Sequence, residues 1–126
     1  MKLEGLRVID LSMFLPGPVI TQIMADHGAS VIRVEPPGGE PSRQFGPFDE
    51  RGESIWYRNT HRGKGSIVLD LRQEADRDCL LRLVDEADVL IEGFRPGVAE
   101  RLGIGAAAVT QRNPRLVYCS ISAYGQ

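Results

Sequence analysis

Short β-branched apolar runs alternate along this chain with segments whose apolar residues recur at helical spacing. The first run, Leu6-Arg7-Val8-Ile9-Asp10-Leu11, is bounded by Gly5 and Ser12 and predicts a buried strand. Pro16-Gly17-Pro18 follows. Proline forces a turn but is tolerated in a first helical turn, so a helix is expected to start here. Val19, Ile20, Ile23 and Met24 recur at helical spacing up to His27, and Gly28 supplies a C-terminal glycine cap. Ser30-Val31-Ile32-Arg33-Val34-Glu35 predicts the second strand. Strand, loop, helix, glycine and strand in this order form a βαβ unit with parallel strands and a right-handed crossover.

The pattern then breaks. From Pro36 to Gly65 glycine, proline and charge dominate, with Ile55-Trp56-Tyr57 as an apolar island. A stretch of this length without periodicity predicts a functional or partner-wrapping loop. Order returns with a strand over 66–69, a helix over 73–86 and a strand over 89–92. Cys79, Leu80, Leu83 and Val84 share one face of that helix. Phe94-Arg95-Pro96-Gly97 turns into a short helix over 98–102, a second short helix covers 106–112, and Pro114 sets its end. A last strand spans 116–121. The expected architecture is α/β: a Rossmann-like parallel sheet of about five strands flanked by helices.

The length of 126 residues suits one domain, residues 1–126, with a single core. With 42% hydrophobic and 25% charged residues, the composition is that of a soluble globular protein. A formal net charge of −2 gives no general pull toward nucleic acid. No run approaches the ~18 apolar residues of a membrane span. The polar start, Met1-Lys2-Leu3-Glu4-Gly5, does not read as a secretory signal. Cys79 and Cys119 lack CxxC spacing and read as buried reduced thiols of a cytoplasmic protein.

In an open parallel sheet, ligands bind beyond the carboxyl ends of the strands. The loops at 12–18, after Pro36, at 70–73, 93–97 and 122–126 should therefore converge on one rim. The first loop has no GxGxxG, and no GxxxxGK[ST] occurs, so neither a dinucleotide fingerprint nor a P-loop is present. The loop is apolar and stiffened by proline, which suits a flat organic group better than a pyrophosphate. Arg72, Arg95 and Arg101 follow strand ends, where several forked donors together suit a polyphosphate. A basic cluster, Arg51, Arg58, His61, Arg62 and Lys64, lies beside Trp56 and Tyr57, but Asp49, Glu50 and Glu53 are interleaved with it. That argues against nucleic acid. Asp10 resembles the acidic position of receiver domains, yet the available lysine, Lys64, sits in the wrong element for one. There is no GxSxG elbow, neither His27 nor His61 has an evident nucleophile, and no cluster has metal-ligand spacing.

The chain resembles the N-terminal part of the family III coenzyme A transferases, a group that includes the related α-methylacyl-CoA racemases. The segments that carry the resemblance are residues 3–12, 16–18, 25–35, 62–71, 87–97 and 113–118, leading to Tyr124-Gly125-Gln126. No single segment is decisive; their order along the whole chain is specific. The resemblance implies a CoA-binding Rossmann-like domain and, for the full family member, an interlocked homodimer acting on acyl-CoA and a carboxylic acid. It places Phe14, Leu15 and Pro16 near the CoA thioester, and Leu69 and Arg72 by the nucleotide. It places Gly93, Phe94, Arg95, Arg101 and Leu102 around adenine and phosphates, and Trp56 near the acyl pocket. Two positions depart from the family pattern: Pro36 follows Glu35 where many members carry a basic residue, and Leu15 stands where the family has a glutamine. The family's nucleophilic aspartate, which attacks the thioester to form a mixed anhydride, is expected beyond Gln126. No catalytic residue is therefore assigned within the chain, and the fragment alone is expected to be inactive. A racemase, using a histidine and carboxylate pair, and a non-catalytic CoA- or nucleotide-binding module are the alternatives. Sequence past Gln126 would separate the three.

Overall fold

In the computed structural model, the described residues are 1–125; Gln126, where the last expected rim loop ends, lies outside them. The strands are β1 (Arg7–Leu11), β2 (Ser30–Glu35), β3 (Gly65–Val68), β4 (Val89–Glu92) and β5 (Val117–Ser120). The helices are α1 (Pro16–Asp26), α2 (Ile55–His61), α3 (Glu74–Glu86), α4 (Val98–Arg101) and α5 (Ala106–Arg112). All strand pairs are parallel, in the order β3-β2-β1-β4-β5. The α/β, Rossmann-like sheet is as expected. Three strands differ from expectation by one residue at their ends.

The segment after Pro36 is more ordered than its composition implies. A 3-10 turn covers Pro41–Gln44 and α2 follows. Ser54 caps α2, its hydroxyl accepting the Tyr57 N–H at 3.1 Å. Such a cap satisfies one of the amides that a helix start leaves unpaired. The apolar island was the start of a short helix.

The register assigns the two faces of the sheet. Ile9, Leu11, Val34 and Leu90 point to one face, where Leu80 and Val84 of α3, Ala99 of α4 and Val109 of α5 complete an apolar core. Asn113 stitches the far ends of these helices together, its side-chain amide donating to the Val84 and Ala87 carbonyls. Asp10, Arg33 and Ser66 form a row on the opposite face. Helix α1 lies there with an orientation its sequence does not suggest. It buries Gly17, Pro18, Thr21 and Gln22, while Ile20 and Ile23 are 41% and 49% exposed. The reason is the sheet beneath: Thr21 donates its hydroxyl to Asp10 at 2.6 Å, a bond the isoleucines cannot make. Gly17 is required by close approach, since a Cβ there would sit 2.2 Å from Ser12.

Candidate functional site at the carboxyl rim

The chain moves outward from β1 to β2 and β3, then returns to the other side of β1 with β4 and β5. That reversal opens a crevice between the carboxyl ends of β1 and β4, the usual place for a ligand in such a sheet. Two cavities flank it. The first, about 390 Å³, lies on the apolar face and is walled by Leu11, Met13, Leu69, Phe94 and Leu102. Pro36 and Arg72 also line it. The second, about 440 Å³, lies toward the start of α1, between Ser12, Phe14, Pro16, Gly93 and Ser122. Met13 borders both. Cavities of this size can enclose parts of a small organic ligand.

The rim is not equipped as a dinucleotide site. In such sites an acid at the end of the second strand takes ribose hydroxyls. Glu35 holds that position, but its oxygens already accept from Arg43 Nε at 2.8 Å and Nη2 at 2.7 Å. Tyr57 Oη at 2.7 Å, Ser66 Oγ at 2.6 Å and the Glu40 N–H at 2.9 Å add three more donors. A carboxylate offers about four acceptor directions, so none is left for a sugar. Burial raises the Glu35 pKa, yet these donors hold it far below the ordinary range. Tyr57 is in turn pushed up to about 12, by burial and by Glu35. The start of α1 is equally unsuited to pyrophosphate: Pro16 and Pro18 remove two amides that would otherwise point at it.

Cations for phosphate lie on the other side. Arg95 and Arg101 are exposed, and neither guanidinium has a carboxylate partner among the described residues. Arg72 differs from its sequence expectation. It is paired with Asp70 through Nε at 2.8 Å and Nη2 at 2.9 Å, so a ligand would have to compete for it. The structure thus gathers Leu69, Arg72, Phe94 and Leu102 at the first cavity and Phe14, Pro16 and Gly93 at the second. Leu15, Arg95, Arg101 and Trp56 line neither. Sequence reasoning missed Leu11, Met13, Pro37 and Leu71, which line the first cavity. Leu11 and Met13 carried a signal, as the residues at and just after the first strand's carboxyl end.

The face under α1 contains a buried charged cluster that holds the first loop. Arg33, 1% exposed, lies 3.6 Å from Asp10 and 3.4 Å from Glu40, and donates to the Ser12 carbonyl at 2.9 Å. Lys64 Nζ sits 3.1 Å from Asp10 and 3.1 Å from His61 Nδ1, and donates to the Pro18 carbonyl at 2.8 Å. The chain after α2 folds back beneath α1 and brings Lys64 to Asp10, although its element is not that of a receiver's lysine. His61 Nε2 faces Glu40 at 3.6 Å. Glu40 accepts the Phe14 N–H at 2.8 Å and the Ser42 hydroxyl. Burial alone would raise the Glu40 pKa, but His61, Ser42, the Phe14 amide and Arg33 bring it down to about 2. Burial lowers both His61 and Lys64, with Arg33 adding to the effect and Asp10 opposing it at Lys64. Two members of the basic cluster of the sequence, His61 and Lys64, are therefore internal, while Arg51, Arg58 and Arg62 stay exposed. Two of the outer members are paired, Arg58 with Asp49 and Arg62 with Asp26, which works against a basic stripe for a phosphate backbone among the described residues.

Residues 3–126 match the sequence model of CoA-transferase family III. The chain belongs to that family. It is 48% identical over 124 residues to an acetyl-CoA:oxalate CoA-transferase of Acetobacter aceti, covering 98% of this chain and 32% of the relative. It is 41% identical to a succinyl-CoA:mesaconate CoA-transferase of Haloarcula hispanica, again over 98% of the chain and 32% of the relative. A solved CAIB/BAIF family protein from Brucella suis superposes with a TM-score of 0.93 at 41% identity, covering 98% of this chain and 34% of that one. The chain therefore spans about a third of the length of the relatives it matches. A short chain dehydrogenase/reductase, 18% identical with a TM-score of 0.50, shares the fold alone. No helix among the described residues is long and apolar enough to cross a membrane.

Proposed function

We propose that this chain is the coenzyme A-binding portion of a family III CoA-transferase, working in the cytoplasm as part of an interlocked homodimer. Adenine occupies the apolar cavity walled by Leu69, Phe94 and Leu102, and Arg95, Arg101 and Arg72 take the phosphates. The pantetheine arm crosses the crevice past Met13 and Gly93. Phe14, Leu15 and Pro16 receive the thioester end, and Trp56 stands toward the acyl group. In the whole enzyme an aspartate carboxylate attacks the thioester carbonyl, expelling the CoA thiolate and leaving a mixed anhydride. No residue of this chain is assigned that role. The partners are an acyl-CoA and a carboxylic acid; no metal enters the reading.

One observation carries it most: the apolar slot is lined by Phe94 and Leu102, whose chain neighbours Arg95 and Arg101 have no carboxylate partner among the described residues, while the acid that would hold a dinucleotide ribose is saturated. The family match supports CoA as the ligand for both. Arg101→Ala should weaken CoA binding roughly tenfold in titration calorimetry, the order expected for one charge-assisted contact. An unchanged affinity would contradict the phosphate assignment.

A further inference from the structure

We infer that Glu40 is a positioning residue for the acyl end of this site, acting through the loop that follows β1. The inference rests on the CoA-binding reading above and adds to it a residue that lines neither cavity.

Phe14 carries a φ of 67°, the positive-φ non-glycine residue among those described. A bulky side chain occupies that region only when its surroundings hold it there. The holding group is Glu40, 26 positions away and 1% exposed, whose Oε1 accepts the Phe14 N–H at 2.8 Å. The other oxygen, Oε2, accepts the Ser42 hydroxyl and faces Arg33 Nη2 at 3.4 Å. Arg33 then donates through Nη1 to the Ser12 carbonyl at 2.9 Å. Ser12 and Phe14 are both restrained from one carboxylate, the first through Arg33 and the second directly. Between them lies Met13, the residue common to the two cavities. Glu40 therefore fixes the wall past which a ligand runs from the nucleotide cavity to the second one. Because Glu40 touches neither space, any effect it has on a ligand must travel through this loop.

The test separates the two ends of the ligand in the full chain. Wild type, Glu40→Gln and Glu40→Asp are titrated with 3′,5′-ADP, which fills only the nucleotide end, and with acetyl-CoA. Glu40→Gln removes the charge that Arg33 faces and should weaken acetyl-CoA roughly tenfold but 3′,5′-ADP less than about twofold. Glu40→Asp keeps the carboxylate and should stay within about twofold of wild type for both ligands. Exchange of the Phe14 amide should be slow in wild type and faster in Glu40→Gln. If Glu40→Gln does not fold, Ser42→Ala, which removes the hydroxyl donated to Oε2 but keeps every charge, should show the same selectivity at roughly threefold. Equal losses of both ligands, or no loss in a folded variant, would overturn the role of Glu40. A wild-type chain that binds no 3′,5′-ADP would instead contradict the nucleotide site, and this role with it.

Discussion

On one face of the sheet Ile9, Val34 and Leu90 meet Leu80, Val84 and Val109; on the other, the same strands present Asp10 and Arg33 to Thr21, Glu40 and Lys64. The first face is closed by apolar burial, which is non-directional and tolerates small shifts of a helix. The second is closed by paired charges and hydrogen bonds, which have fixed distances and directions. Buried ion pairs add little net stability because desolvation opposes their attraction. Removing one partner is nevertheless costly, and the geometry they impose is specific. The difference has a functional correlate. The apolar face walls the first cavity, where adenine is proposed to bind, whereas the charged face fixes the loop at 12–14 beside the second cavity. One side supplies a surface to bind against, and the other supplies precise placement.

The largest expected effect breaks the charged face. Arg33→Met removes the cation that Asp10 and Glu40 share, leaving the buried carboxylates in excess, and should cost about 4 kcal/mol in urea denaturation, or abolish folding. Leu80→Ala, on the apolar face, should cost about 3 kcal/mol by leaving a cavity. Should the arginine variant prove as stable as wild type, the charged cluster does not hold its face together.

A smaller effect sharpens the contrast through pH. His61 is held below its ordinary value of 6.5 by burial and by Arg33 and Lys64, so the unfolded chain takes up the proton first as pH falls. Stability that is present above pH 6.5 should decline toward pH 5. A further decline should follow below 4.5, where Glu40, held at about 2 in the folded state, is the group the unfolded chain protonates first. Melting temperatures across this range should flatten between pH 7 and 5 in His61→Gln. They should run parallel to wild type in Leu80→Ala, which changes only the apolar face. Parallel curves for all three proteins would show that His61 does not couple folding to pH.

The sheet and its apolar face were legible because strand and helix periods, glycine caps and proline positions are local signals. Leu80 and Val84 could be assigned to a buried face from spacing alone. The charged face was not legible, since its pairs join residues far apart. Asp10 meets Lys64, and Glu40 meets Phe14, through folds that no local pattern records. The same cause misled the reading of α1. Its isoleucines recur at helical spacing, but Asp10 in the sheet selects Thr21 for the buried side. Arg72 was read as an available cation because its pairing with Asp70, two residues back, depends on the turn after β3. At the site, the rim loops were predictable from strand ends. Which side chains wall each cavity depended on the order β3-β2-β1-β4-β5.

The proposed coenzyme A site at the carboxyl rim can be located residue by residue. Amide chemical shifts of the chain, followed during titration with CoA, should move first at Met13, Leu69, Phe94 and Leu102 and at the neighbouring Arg101. The far end of the sheet, around Leu3 and Ala29, should stay still. Shifts confined to that far end, or none at saturating CoA, would contradict the assignment of the carboxyl rim as the coenzyme site.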